Sequence, residues 1–273
     1  MRISCPEQML GDRSFAEKLD IVRRLGFDGI DARSDTLRNS ENLELVRKSG
    51  LPVASVFSQV RTPSLLDAAA TDRAAAVETV LERIGVAVSA GAENMILVPV
   101  FGPPRLSLAV DDAAMHRIES ALLLVALKEI GSRLGNLPLD VVLEPLNRKE
   151  THFLTDPVEA AQICRTVDEP RIATMVDTYH CFQEGIDPAT CIAEMPDQLR
   201  LVHVSDSSRG LPGEGEVDFA AVLAALHRVT YTGWLGYECR KIETDDDLAA
   251  LETSLQWLRG LDTGRTGSEG GNA

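Results

Sequence analysis

The sequence predicts a (β/α)8 barrel, the TIM-barrel architecture, in a single domain. Three observations carry that expectation. Eight short β-rich runs are spread along the chain, and longer helical patterns lie between them. The runs are nearly continuous in apolar residues, as in parallel strands covered on both faces. Eight such units over about 260 residues match the usual size of this barrel, ~250 residues.

The strands are expected at 2–5, 29–33, 53–59, 94–100, 139–146, 172–177, 199–205 and 234–239. The helix over 15–25 carries Ile21, Val22 and Leu25 on one stripe and stops at Gly26. The next, over 72–90, is Ala-rich, has Val77, Val80, Leu81 and Ile84 at helical spacing, and ends before Gly91. The longest covers 111–134. A helix over 157–167 opens with Asp156 as N-cap and Pro157 at the first helical position. Asp218 is an N-cap candidate for 218–229, and three aspartates open 245–258, where they suit the positive end of a helix. A doubly wound open sheet is the competing architecture. It would announce a Gly-rich phosphate loop after the first strand, and the sequence there is CPEQMLGD. The barrel domain is expected to cover 1–261. The polar, Gly-rich stretch 262–273 is expected to be a disordered tail.

Composition narrows the function. Of 273 residues, 44% are hydrophobic and 25% charged, which excludes wholesale disorder and provides for a sizeable core. Lys and Arg number 27 against 42 Asp and Glu, for a net charge of −15. Such a field repels nucleic acid and anionic membrane surfaces. The tightest apolar cluster, 121–127, is flanked by Glu119 and Lys128 and reads as the stripe of a soluble helix. The first ten residues, MRISCPEQML, do not read as a signal peptide. The five cysteines are odd in number, scattered and free of CxxC pairs, so neither a disulfide framework nor a zinc knuckle is expected. A reducing, cytoplasmic compartment is the expectation.

Catalytic groups of a (β/α)8 barrel sit at the C-terminal ends of its strands. The fifth strand ends in VVLEPLN with Glu144, and the sixth in MVDTYH with Asp177. The seventh is LVHVSDS with His203, and the eighth LGYECR with Glu238. Each lies roughly one βα unit from the next, so all four reach one mouth. Any one of them alone reads as a loop cap, a surface charge or a core histidine. Capping does not account for the conjunction on four successive strands. Three carboxylates packed together repel unless a cation joins them. Three carboxylates and an imidazole form an oxygen-rich set, which favours Mn²⁺ or Mg²⁺, and tolerates Co²⁺, over thiolate-preferring zinc.

The segments EPLNRKE from Glu144 to Glu150, DTYH from Asp177 to His180, HVSDSSR from His203 to Arg209, the GEG at 213–215 and Glu238 resemble the xylose-isomerase-like TIM-barrel superfamily. The closest resemblance is to ketose 3-epimerases of the D-tagatose/D-psicose (allulose) and L-ribulose type. It spans the chain to about residue 261. The resemblance implies a Mn²⁺, Mg²⁺ or Co²⁺ ion held by Glu144, Asp177, His203 and Glu238. It also implies that Glu150, His180 and Arg209 contact substrate or support the ligands.

The chemistry of the residues agrees. Epimerisation beside a carbonyl needs a base on one face of the carbon and an acid on the other, and Glu144 and Glu238 come from non-adjacent strands. The ion would stabilise the cis-enediolate as a Lewis acid. Two features depart from the family pattern. Aromatic content is 4%, with Cys5 on the first strand, and Arg240 stands two residues past Glu238 where an aromatic is common. Arg240 either meets a carboxylate or phosphate on the substrate or pairs on the rim with the acids at 245–247. A metal-dependent ketose 3-epimerase acting on a small sugar or keto sugar is thus the leading expectation. An aldose–ketose or hydroxypyruvate-type isomerase often has Gln where this chain has His203. An inosose dehydratase-like lyase starts from the same proton abstraction. Endonuclease IV-like DNA repair needs more histidines than the five present, and a sugar-binding module needs no pair of opposed bases. The oligomeric state, including a homo-oligomer, stays open.

Overall fold

Short runs rich in Val, Ile and Leu form strands β1 (Arg2–Pro6), β2 (Gly29–Arg33), β3 (Val53–Ser58), β4 (Asn94–Leu97), β5 (Asp140–Leu143), β6 (Ile172–Asp177), β7 (Leu199–Val204) and β8 (Trp234–Tyr237). The computed structural model describes residues 1–58 and 61–263. Each strand pairs in parallel with its sequence neighbour, and β8 returns to β1, with Ile3 opposite Leu235, to close the barrel. The expected (β/α)8 architecture is the observed one.

Helices cover the outside: α1 (Phe15–Leu25), α2 (Ser34–Arg38), α3 (Ser40–Ser49), α4 (Ala70–Ser89), α5 (Asp112–Leu134), α6 (Pro157–Val167), α7 (Thr178–Glu184), α8 (Pro188–Glu194), α9 (Phe219–Arg228) and α10 (Asp245–Thr263). Their starts follow local chemistry. Ser14 and Glu17 form a reciprocal capping box at α1, and Gly26 ends it at φ 84°. Asp156 accepts from the Val158 N–H ahead of Pro157 in α6, and Asp218 caps α9 through the Ala221 N–H. Among the described residues, no helix is long and apolar enough to cross a membrane.

Three expectations are corrected. Strands β4 and β5 stop earlier than 94–100 and 139–146, because Val98 and Leu146 leave the sheet and turn into the barrel mouth. Helices α2, α3, α7 and α8 were not anticipated; each is short, and α7 begins on the carboxylate of Asp177. The proposed tail begins too early. Asp262 and Thr263 belong to α10, and Asp262 accepts from the Met1 ammonium at 2.6 Å. The rest of that stretch, 264–273, lies outside the described residues, as does Gln59 of the third expected strand.

Two apolar layers hold the fold. Side chains facing outward from the strands pack under the helices, and a second cluster fills the barrel itself with Phe57, Ile96, Val142, Met175, Leu201 and Trp234. Trp234 is 1% exposed and lies across Gly29 of β2. A Cβ at Gly29 would fall 2.7 Å from the Trp234 ring and 2.8 Å from the Pro52 carbonyl oxygen, so only glycine fits. Gly29→Ala is expected to destabilise the protein by about 1–3 kcal/mol, the usual cost of overpacking. Urea denaturation checks this through a lowered midpoint at unchanged slope.

Candidate metal centre

The parallel barrel delivers four polar side chains to one end. Glu144 follows β5, and its N–H continues the ladder to the Leu97 carbonyl at 3.1 Å. Asp177 is the last residue of β6 and pairs in register with His203 of β7, which in turn pairs with Gly236 of β8. Glu238 follows β8, its N–H reaching the Val204 carbonyl. One donor atom from each of Glu144, Asp177, His203 and Glu238 lies within 4.8 Å of the others. His203 Nδ1 stands 3.0 Å from Glu238 Oε2, 3.4 Å from Glu144 Oε1 and 3.6 Å from Asp177 Oδ2. None of these contacts has hydrogen-bond geometry, and Glu144 Oε1 and both His203 ring nitrogens have no hydrogen-bond partner. Glu144 Oε1 and His203 Nδ1, buried and unpartnered beside the Asp177 and Glu238 carboxylates, fit a cation between the four residues. The oxygen-rich set with one imidazole suits a hard divalent ion.

The charges show what that ion would replace. Burial, followed by the neighbouring Glu238 carboxylate, pushes Glu144 above the usual carboxylate range. Burial opposes charge on His203, but Glu238, Asp177 and Glu144 outweigh it and raise its pKa well above the ordinary value. Burial also opposes ionisation of Asp177 and Glu238; Arg209 overcomes it in both, holding Asp177 well below the usual range and Glu238 below it. Protons and a guanidinium therefore supply the positive charge that a bound cation supplies instead.

Arg209 sits on the β7–α9 loop at φ 61°, a left-handed backbone that turns its side chain back into the mouth. Its Nη1 donates to Asp177 Oδ2 at 3.0 Å and its Nη2 to Glu238 Oε2 at 2.7 Å. The guanidinium also lies 4.6 Å above the Tyr179 ring. Buried Asp206 shapes this loop by accepting from the N–H groups of Ser207, Gly213 and Val217. A Cβ at Gly215 would lie 2.4 Å from the Asp206 carboxylate, which explains the glycine there.

His180 and Glu150 reach the same pocket through Asn147. The Asn147 backbone N–H donates to His180 Nδ1 at 3.1 Å, and its side-chain amide lies 2.7 Å from that nitrogen and donates to Glu150 Oε1 at 3.1 Å. Arg240 lies elsewhere. It pairs with Asp247 at 2.8 Å and Glu214 at 3.1 Å on the exposed rim. β8 ends at Tyr237 and the Arg240 N–H turns to the Arg209 carbonyl, so this side chain takes the rim pairing expected of it with the acids at 245–247.

The pocket walls are Phe57, Ser58, Ile96, Phe101 and Leu146, with Arg61 at the edge. The aromatics come from β3 and from the loop after β4, not from β1, where Cys5 is fully buried. Sequence reasoning missed Asn147, Asp206, Phe57 and Phe101. It also missed Asp31, a fully buried carboxylate on β2. Its signal was an acid between Ile30 and Ala32 in a strand that otherwise reads as buried.

A model of the xylose isomerase-like TIM barrel matches residues 19–261. The chain belongs to this family. Membership places it among enzymes of the isomerase and epimerase kind. It is similar to the 3-dehydro-D-guloside 4-epimerase of Escherichia coli (strain K12), 26% identical over 269 residues, covering 95% of this chain and 99% of the relative. A crystal structure of 3-keto-D-glucoside 4-epimerase from E. coli superposes with a TM-score of 0.80 at 25% identity, covering 95% of this chain and 99% of that one. The ketose 3-epimerase of Arthrobacter globiformis is 34% identical over 113 residues, 41% of this chain and 39% of the relative.

A single divalent ion per chain is expected in protein dialysed against Mn²⁺. His203→Ala is expected to lose it, because among the described residues His203 gives the cluster its one imidazole ligand. Isothermal titration and metal analysis of the two proteins check this; equal metal content in both would exclude the cluster as the site.

Proposed function

We propose that this protein is a divalent-metal-dependent epimerase that inverts a carbon next to the ketone of a keto sugar, with Glu144 and Glu238 as the acid/base pair. The observation that carries this reading is the placement of two carboxylates, from non-adjacent β5 and β8, on one pocket around a shared polar centre. A bound Mn²⁺, with Mg²⁺ or Co²⁺ as alternatives, supplies Lewis-acid polarisation of the ketone.

The chain's own residues do the rest. One glutamate takes the proton from the carbon on its face, leaving a cis-enediolate. The other returns a proton on the opposite face, so configuration inverts and no atom is gained or lost. The reverse reaction uses the same pair with roles exchanged. Arg209 holds one oxygen of Asp177 and one of Glu238, which fixes the second glutamate in its working position. Phe57, Ile96 and Leu146 line the reacting side and keep bulk water from protonating the enediolate on either face.

Two substrates share this chemistry. In a 2-ketose the inverted carbon is C3; in a 3-keto glycoside it is C4. The sequence motifs favour the ketose 3-epimerase, and the nearly full-length likeness to a 4-epimerase favours the keto glycoside. The rim pairing of Arg240 with Glu214 and Asp247 supports a neutral sugar in either case. Four buried cysteines, with a fifth partly buried and none in a disulfide, fit a reducing cytoplasm.

Incubation of the Mn²⁺-loaded protein with 2-ketoses and 3-keto glycosides in D₂O tests the reading. Deuterium is expected at the inverted carbon, read by NMR. Release of water from the sugar, or an aldose product, would replace the epimerase with a lyase or an isomerase. Glu144→Gln and Glu238→Gln are each expected to lower kcat by at least ~10²–10⁴-fold, the usual weight of an acid/base group. Arg240→Ala is expected to keep kcat/KM within about fivefold, since an exposed ion pair contributes ~0–1 kcal/mol. A larger defect at Arg240 would point to an anionic substrate.

A further inference from the structure

Below the four-residue cluster, the barrel interior holds a second polar group. Asp31 and Ser4 are both fully buried. The Ser55 hydroxyl donates to Asp31 Oδ1 at 2.7 Å. Three atoms here have no protein partner: Asp31 Oδ2, Ser4 Oγ and His203 Nε2. Ser4 Oγ, Asp31 Oδ2 and the His203 ring border Gly236, which pairs in register with Ser4 on one side and with His203 on the other. A Cβ at Gly236 would stand 3.1 Å from His203 Cδ2, 3.4 Å from Ser4 Oγ and 3.5 Å from Asp31 Oδ2. A carboxylate, a hydroxyl and the imidazole edge thus converge on the side of Gly236 where a side chain would stand. Unpaired buried polar atoms are costly, and three of them around one point meet the two to four partners that an internal water needs.

We propose that Asp31 is a positioning residue for His203, acting through one internal water seated over Gly236 and shared with Ser4. The water accepts from His203 Nε2–H and from the Ser4 hydroxyl and donates to Asp31 Oδ2. That fixes the proton on Nε2 and leaves the Nδ1 lone pair facing Glu144, Asp177 and Glu238. Ser55 keeps the carboxylate from rotating away. A carboxylate behind a metal-bound histidine sets its tautomer and raises its basicity, and losing such a partner typically lowers metal affinity ~10–100-fold. The inference rests on the metal reading of the cluster, but the water itself does not.

A high-resolution crystal structure of the wild-type protein is expected to show an ordered water in contact with Asp31 Oδ2, Ser4 Oγ and His203 Nε2. No water there overturns the proposal, whether or not a metal is bound. Mn²⁺ titration then reads the consequence. Asp31→Asn is expected to weaken Mn²⁺ binding about 10–100-fold, and Ser4→Ala by a smaller factor in the same direction. Each is compared with its own urea midpoint. A variant that loses stability but binds Mn²⁺ as tightly as wild type gives the residue a structural role only and overturns the proposal. If Asp31→Asn does not fold, Ser4→Ala and the wild-type water decide. A wild type that binds no Mn²⁺ removes the metal reading and leaves the crystallographic water as the test.

Discussion

The backbone pairing of β8 with β1 is the constraint on which the rest depends. Without it, eight parallel strands form an open sheet whose ends fan out across a surface. With Arg2, Ile3 and Ser4 opposite Trp234, Leu235 and Gly236, the strand ends form a ring instead. Residues that leave β5, β6, β7 and β8 then meet across a few ångströms, although they are far apart in sequence. Interior packing supports the ring from below. Trp234 crosses to Gly29, and Phe57, Ile96, Val142, Met175 and Leu201 fill the middle.

The same ring explains why polar residues inside the barrel come in tiers. A parallel strand turns every second side chain inward. Asp177 and His203 stand side by side on β6 and β7, and Ser4, Asp31 and Gly236 gather on the other side of His203. The loops finish the arrangement. Asp206 gathers three backbone N–H groups and so fixes the turn that sends Arg209 inward. Asn147 ties Glu150 to His180 across the gap between β5 and α7.

Much of this was legible in the sequence, for a definite reason. Glu144, Asp177 and Glu238 each end an apolar run, and His203 stands one residue before the end of its own, where a parallel barrel brings side chains to the mouth. Asp31 was less legible because it lies inside its run, where a single acid reads as a solvent-facing residue of a half-buried strand. Of the two partners expected for Arg240, it meets the rim acids, because strand pairing stops at Tyr237 and the chain turns. Asn147 acts largely through its side-chain amide and Asp206 by gathering backbone N–H groups, and residue type alone does not reveal which loop atoms will meet. Helices α2, α7 and α8 are too short for a hydrophobic period to show, and the ten-residue α3 buries only Val46.

The two hydrogen bonds of Arg209 also settle the charge of the whole centre. Three carboxylates and one guanidinium leave a deficit of two positive charges. A divalent ion cancels it and leaves His203 neutral; a monovalent ion leaves the buried mouth anionic, and a trivalent one leaves it cationic. Arg209 thus bears on the charge an ion would have to bring, without needing to touch it. Glu150 and Arg61 line the same pocket with opposite charges, so a divalent ion would leave its lining close to neutral.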